Sequence, residues 1–327
     1  MKYPVVLFDE SMGIGKAEVI DPSRPSFWVS DFPLPRKTDV WTPFPKTLHF
    51  QPEQIVPIPK SSAPFSYPEV ILRTVSPSFV NWEKTIEKFK KSGIEKVVLA
   101  RKSSFLFKEA VNVVNLFHFL KEKSPNAFVF ALFLSPNLAF IGATPENLFT
   151  RIGLKITTEA LAGTSRSGDE ERLLNSCKDM KEFLFVKETL TEQLQKICNP
   201  FSISQNIFIK KAGNVSHLHY PFSVKLKEAL SDAHLINLLH PTPAIGGRPR
   251  DLALEFIHAF EPFDRGYYAG TVGFLSKEES RVYIGIRSAL IDGNRMDIFT
   301  GAGIIPESSP SLEWQELSHK QGLFNIC

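Results

Sequence analysis

The segments of this chain that read as β-strands arrive in runs, with helices between the runs and no strict strand–helix alternation. That order indicates a mixed α+β architecture. Apolar runs of strand length cover residues 127–134 and 138–143, followed by 155–160, 206–211 and 215–220. Three more cover 267–274, 281–290 and 295–300, and the turn Asp292-Gly293-Asn294 predicts that the last two pair as a hairpin. A further pair is expected around Gly213-Asn214.

Helical spacing appears first in Phe79, Trp82, Ile86 and Phe89, with Gly93 as the stop. Further helices are expected over 111–123, 168–198, 227–239 and 250–260, and a last one opening at Ser309-Pro310. The stripe of the 168–198 helix is Phe183, Val186, Leu190, Leu194 and Ile197. More than half of the 24 prolines precede Val80. Residues 1–78 therefore read as short strands on long turns that join the main fold, with 79–327 as the principal region of one structural domain.

A chain of 327 residues with 43% hydrophobic content can bury one large core or two modest ones, and 28 phenylalanines suit a core-rich globular protein. With 38 basic against 35 acidic residues and no block of like charge, there is no footprint for nucleic acid. No leader peptide and no membrane-length apolar stretch is visible. Cys177, Cys198 and Cys327 have no metal spacing, and three is an odd number for a disulfide framework. The expectation is a cytoplasmic protein in a reducing compartment.

One strand poses a question. In Gly93-Ile94-Glu95-Lys96-Val97-Val98-Leu99-Ala100-Arg101, period-two alternation puts Lys96 on the face of Val98 and Ala100. Such a lysine either snorkels at a strand end or does chemistry. Glu146, after Thr144-Pro145, reads alone as an exposed turn carboxylate. Glu182 lies about 40° outside its helix's apolar stripe at ~100° per residue, with Lys178 as an i,i+4 partner. Glu313, Glu316 and Lys320 share one face of the last helix. They are either a salt-bridged surface stripe or a set that holds Mg²⁺, which commonly takes one or two carboxylates. His217 and His219 alternate onto one strand face, as in a transition-metal site, without a third ligand nearby.

The segment Leu239-His240-Pro241-Thr242-Pro243-Ala244-Ile245-Gly246-Gly247-Arg248-Pro249 reads as a rigid loop before a helix, with backbone amides suited to an anion. Leu161-Ala162-Gly163-Thr164 and Gly301-Ala302-Gly303 read as glycine loops following strands. Close-approach loops beside carboxylates point to a small anionic ligand and a metal.

Together these motifs resemble the chorismate-utilising enzymes, the family of anthranilate synthase component I and isochorismate synthase. The carriers, in chain order, are Lys-Val-Val-Leu-Ala-Arg at Lys96, Ala-Thr-Pro-Glu at Glu146, Leu-Ala-Gly-Thr at Thr164 and Lys-Asp-x-x-Glu at Glu182. Val-x-His-Leu at His217, His-Pro-Thr-Pro-Ala at Ala244 and Arg-Gly-Tyr-Tyr-Ala-Gly at Tyr268 follow. Ile286-Arg287-Ser288, Gly301-Ala302-Gly303-Ile304 and Glu313-Trp314-x-Glu316 complete the set. Lys181 stands where the family often has histidine.

The resemblance implies two layered antiparallel β-sheets flanked by helices, with the site in the cleft between them. It implies Lys96 as base, Glu146 as acid, and Mg²⁺ at Glu182 and Glu316 with Glu313 acting through water. It further implies that Gly163, Thr164, His217, Ala244, Tyr268, Arg287, Gly303 and Lys320 bind chorismate. Lysine at position 96 and His-Pro-Thr-Pro-Ala look most like the isochorismate synthase branch, which needs no glutaminase subunit. The other readings are a salicylate synthase or an ammonia-adding relative, and a non-catalytic sensor of an anionic metabolite on the same fold.

Overall fold

The computed structural model describes residues 3–8, 11–17, 21, 23–37, 45–59, 64–204, 206–212, 215–324 and 326. Gly213-Asn214 and Cys327 therefore lie outside the described residues; Cys177 and Cys198 are free thiols.

Two antiparallel sheets carry the chain. One runs, in spatial order, Gly247–Arg248, Lys96–Phe107, Arg295–Ile304, Ser288–Asp292, Leu138–Thr144, Phe128–Phe133, Val5–Phe8, Ser11–Ile14 and Gln54–Pro57, with Val70–Ser76 also pairing with the Lys96 strand. The other runs Phe208–Ala212, Val215–Lys225, Lys155–Arg166, Asn147–Ile152, Glu279–Ile284, Thr271–Leu275, Ser26–Ser30 and Thr47–Phe50. The proline-rich N-terminal segment thus adds strands to both sheets, five of them at the far end from the Lys96 and Phe208 edges and Val70–Ser76 against the Lys96 strand itself. The predicted hairpin forms, with Asp292 opposite Arg295 and Gly293 at φ 59°, the left-handed value such a tight turn needs.

The sheets face each other across a core in which Phe8 meets Phe274 at 4.3 Å and Phe128 stacks on Tyr283 at 4.3 Å. Alternation splits each central strand between two cores. Val6, Phe130 and Leu132 point between the sheets, whereas Val5, Leu7, Val129 and Ala131 point to the opposite face. There the helix Val113–Lys123 covers them with Val113, Leu116, Phe117 and Leu120. Covering both faces is why these strands read as unbroken apolar runs. The helix Cys177–Ile197 adds Phe183, Val186, Leu190 and Leu194 to the inter-sheet core, each fully buried apolar side chain contributing roughly 1.5–3 kcal/mol of transfer free energy.

Three expectations are corrected. The helix expected over 168–198 is two, Glu170–Asn175 and Cys177–Ile197, because Ser176 breaks the first and caps the second through Asp179 N–H. The single strand expected over 281–290 is also two, Glu279–Ile284 in one sheet and Ser288–Asp292 in the other. The chain changes sheets at Gly285-Ile286-Arg287, and Arg287 takes φ 52° to do so. Finally, Gly163 and Gly303 lie inside strands rather than in loops after them. At Gly163, φ +65° lets the strand continue through a bulge between Ala162 and Thr164. Among the described residues no helix is long and apolar enough to cross a membrane.

Candidate active site

A cleft with about 690 Å³ of empty space opens between the sheets. Glu146, Gly163, Thr164 and Glu182 line it, as do His217, Ala244 and Tyr268. Arg287, Gly303 and Lys320 complete the wall, so ten of the sequence-derived site residues meet there. Glu146 reaches it because the strand Leu138–Thr144 ends in one sheet and Asn147–Ile152 begins in the other, leaving Pro145-Glu146 as the crossover. Arg287 occupies the matching crossover described above.

Lys96 does not snorkel. Its side chain is 0% exposed, and Nζ lies 3.1 Å from Glu182 Oε1. Burial pulls its ammonium below the ordinary lysine range against the opposing pull of Glu182, with Lys178 and Lys320 adding repulsion. Glu146 is buried, and burial with the nearby Glu159 carboxylate pushes it up to about 7, although Lys210, Lys96 and Lys320 oppose the rise. Glu182 behaves in the opposite way: burial would raise it, but Lys96, Lys178 and Lys320 together hold it at about 2.

Gly303 is required by this arrangement. A Cβ built there would stand 1.9 Å from Glu182 Oε1 and 3.1 Å from Lys96 Cε. The strand therefore passes directly beneath the carboxylate. Tyr268 stacks on Phe299 at 5.3 Å and brings its hydroxyl close above Gly301. His217 Nδ1 lies 3.0 Å from Gly163 O, which fixes the proton on Nδ1, and burial lowers the ring to about 3. Its Nε2, an acceptor, is buried without a hydrogen-bond partner among the described residues.

Glu313 and Glu316 sit in the adjoining cleft, reached past Thr164. The helix Pro310–Gln321 is held there by Trp82 Nε1 donating to Pro310 O at 3.0 Å and by Lys320 donating to Gly301 O at 2.8 Å. Its polar face is therefore not a surface stripe: Glu313 is buried, and burial pushes it up to about 7, although Lys178 opposes the rise. Glu316 pairs with Lys320 at 2.7 Å.

Sequence reasoning treated Lys178 as a routine helical partner. The structure gives it a larger part: Nζ lies 3.1 Å from Glu182 Oε2 and 3.0 Å from Glu313 Oε1, neutralising carboxylates from two helices. With that ammonium between them, no three carboxylate or imidazole groups among the described residues surround one point as an ion cage would. The donors nonetheless fit a hard cation. All are carboxylate oxygens, Gly303 leaves room for one of them, and Mg²⁺ needs only one or two with water.

Two other expectations change. His219 Nε2 lies 2.8 Å from Glu159 Oε2, so it belongs to an ion-pair cluster and not to a metal site with His217. The His240–Pro249 loop does not present its amides to an anion. Ala244 N–H donates to Thr242 Oγ1, and Ile245 and Gly246 N–H donate to Thr242 O, so the loop contributes an apolar wall through Ala244 and Ile245.

Residues 37–324 match the family model described as "Chorismate binding enzyme". An isochorismate synthase (MenF) of Haemophilus influenzae is 33% identical over 265 residues, 78% of this chain and 61% of that protein. A chloroplastic isochorismate synthase 2 of Arabidopsis thaliana is 38% identical over 254 residues, 75% of this chain and 45% of that protein. The chain thus spans roughly half to three-fifths of the length of these curated relatives. In fold, the chain is similar to the solved menaquinone-specific isochorismate synthase of Escherichia coli, with a TM-score of 0.83 at 24% identity over 99% of this chain and 88% of that one. Anthranilate synthase component I of Streptococcus pneumoniae shares the fold more distantly, with a TM-score of 0.65 at 19% identity over 79% of this chain and 60% of that one. The ordered motifs, the two-sheet cleft and these matches agree: the chain belongs to the chorismate-binding enzyme family.

Proposed function

We propose that this protein is an isochorismate synthase, converting chorismate to isochorismate in the cleft between the sheets. The carrying observation is the pair of oppositely tuned groups. Lys96, a buried amine that burial pulls below its ordinary range, and Glu146, a buried carboxyl held up at about 7, are each shifted toward the form a base and an acid need. A sensor of an anionic metabolite would need neither.

In this reading water adds at C2 of chorismate, the ring double bonds shift, and the C4 hydroxyl leaves as water. Lys96 removes the proton from the attacking water, and Glu146 delivers one to the departing hydroxyl. Arg287, buried with no side-chain salt bridge among the described residues, and Lys320 hold the substrate's two carboxylates, with the backbone at Gly163, Thr164 and Gly303 contributing close approach. The unpartnered His217 Nε2 accepts a hydrogen bond from a substrate hydroxyl, while Ala244 and Tyr268 bound the ring. Glu182 and Glu316, with Glu313 through water, would hold Mg²⁺, whose chemistry is to neutralise and orient a substrate carboxylate. Reaction by water addition needs no glutaminase partner.

The test is to supply purified protein with chorismate and Mg²⁺, without ammonium, and resolve the products. Isochorismate approaching an equilibrium mixture supports the reading. Salicylate with pyruvate, or an aminated product dependent on ammonium, moves the chain to a neighbouring branch. Lys96→Met should lower turnover roughly 10²–10⁴-fold with little change in substrate affinity; activity within a few-fold of wild type would remove Lys96 from the mechanism.

A further inference from the structure

Glu146 lies between two peptide groups that reach the same ion pair. On one side Lys210 Nζ donates to Pro145 O at 2.9 Å, and on the other Asn147 N–H donates to Glu159 Oε1 at 3.0 Å. Lys210 Nζ is itself 2.7 Å from either Glu159 oxygen, and His219 Nε2 closes the group 2.8 Å from Oε2. The three residues come from three neighbouring strands at one end of the second sheet, and none of them lines the substrate cleft. The Glu159 side chain is only 9% exposed.

We propose that the Lys210–Glu159–His219 cluster is the positioning element for the acid: it clamps the peptide groups before and after Glu146 and sets an anionic charge behind its carboxyl. The inference rests on reading Glu146 as the acid. A salt bridge that merely tied an edge strand to its sheet would have no reason to spend both its cation and its anion on the two backbone groups flanking one cleft carboxyl. Glu146 O is held as well, by Ile284 N–H at 3.0 Å, and Glu146 N–H donates to Thr144 Oγ1 at 3.3 Å. The carboxyl consequently projects from a backbone fixed at every polar atom around it, which is the condition for aiming an acid at one leaving group.

The charge has its own effect. Burial is the first cause of Glu146's raised value and Glu159 the second; Lys210, Lys96 and Lys320 oppose both. Tyr268, Arg287 and the His217 ring line the same cleft. The Glu182 carboxylate lines that cleft as well; Glu159 is the charge that raises Glu146 most after burial, and Lys210 is the first of the three cations that temper it.

The experiment compares wild type with Glu159→Gln, Lys210→Met and Lys210→Arg. Glu159→Gln keeps an acceptor for Asn147 N–H but removes the charge. It should lower kcat at pH 7.5 by roughly ten-fold, move the alkaline limb of kcat to lower pH, and leave KM within about three-fold. Lys210→Met should move that limb the other way, to higher pH, and Lys210→Arg should return it toward wild type. Opposite shifts from the two partners are not what loss of a structural tie would produce. Coincident limbs in wild type, Glu159→Gln and Lys210→Met, or losses confined to KM, would overturn the proposal. Independently of turnover, the carboxyl infrared band that disappears in Glu146→Gln can be titrated without substrate in each folded variant. If wild type forms no isochorismate, the functional reading fails while that titration still decides the clamp.

Discussion

Glu146 and Arg287 stand on neighbouring crossovers that are bonded to each other. Ile284 N–H donates to Glu146 O at 3.0 Å, and Ala143 N–H donates to Arg287 O at 3.1 Å. Each crossover is the point where the chain leaves one sheet for the other, so the proposed acid and the proposed carboxylate-binding cation are spaced by backbone hydrogen bonds and not by mobile loops. Arg287 accepts φ 52° in the process, a conformation that costs a non-glycine residue roughly 1–2 kcal/mol. The surrounding sheets maintain it.

The first prediction concerns the acid's titration. Glu146 acts only while protonated, and burial with Glu159 holds it at about 7. The contribution of this group should therefore be complete below that value and be lost as pH rises through it, giving an alkaline limb, the reverse of a group that works as a carboxylate. Glu146→Gln should lower kcat by roughly 10²–10⁴-fold and abolish this limb. A pH–kcat profile that keeps its alkaline limb in Glu146→Gln would assign the ionisation elsewhere.

Gly303→Ala is the second. The added methyl would overlap Glu182 Oε1 at 1.9 Å and crowd Lys96 Cε at 3.1 Å. Glu182 must swing away, separating it from Lys96. Turnover should fall at least ten-fold, while stability drops by only about 1–3 kcal/mol, the usual cost of overpacking. Urea unfolding and product assays on one preparation decide the matter; near-wild-type turnover would mean that Glu182's placement is not needed.

A third prediction follows from Lys178. Its ammonium bridges Glu182 and Glu313, so it competes with a cation held at Glu182 and Glu316 for the Glu182 carboxylate. Chelation with EDTA should stop turnover and Mg²⁺ should restore it. In Lys178→Gln the competing charge is gone, so the protein should bind Mg²⁺ more tightly, read by calorimetric titration without substrate, and lose stability when metal-free because the buried carboxylates then repel. Weaker Mg²⁺ binding in Lys178→Gln would show that the ammonium is not a competitor.

Much of this site was readable in the sequence, for a physical reason. Lys96 stood out because two-residue periodicity put it on an interior face, whereas Gly303, read as part of a loop, lies inside a strand that passes under the Glu182 carboxylate. Glu182 was less legible. At about 40° off its helix's apolar stripe by the ~100° step of a helix, it looked solvated, and only the approach of the strand carrying Gly303 buries it. Long-range pairing hid the rest. The crossover at Arg287 sits inside an unbroken apolar run, so nothing local announces that one strand is two. The Glu159–Lys210–His219 cluster joins residues up to 60 positions apart, and the hydrogen bonds from Lys210 to Pro145 O and from Asn147 N–H to Glu159 fall on backbone atoms that carry no sequence signal.

The last prediction concerns stability in acid. His240 is buried, its Nε2 lies 2.8 Å from Ala269 O, and its ring meets Phe32 edge-on at 6.1 Å. Because the carbonyl can only accept, Nε2 carries the hydrogen and any added proton must enter at Nδ1. Burial lowers the ring to about 4, with Arg250 adding repulsion and the Ala269 bond opposing both. An unfolded histidine titrates near ~6.5, so between about pH 6.5 and pH 4 the unfolded chain holds the extra proton and the folded chain does not. Stability from this residue is therefore intact above pH 6.5, declines as pH falls through that window, and stops changing below about 4. The full decline is on the order of 3 kcal/mol. His217, lowered to about 3, contributes a decline of the same sign reaching further into acid. His240→Phe removes one titration and one hydrogen bond together. It should be less stable at pH 8 yet show a flatter fall from pH 6.5 to pH 4 in urea unfolding. Equal slopes in the two proteins would place the acid sensitivity in other groups.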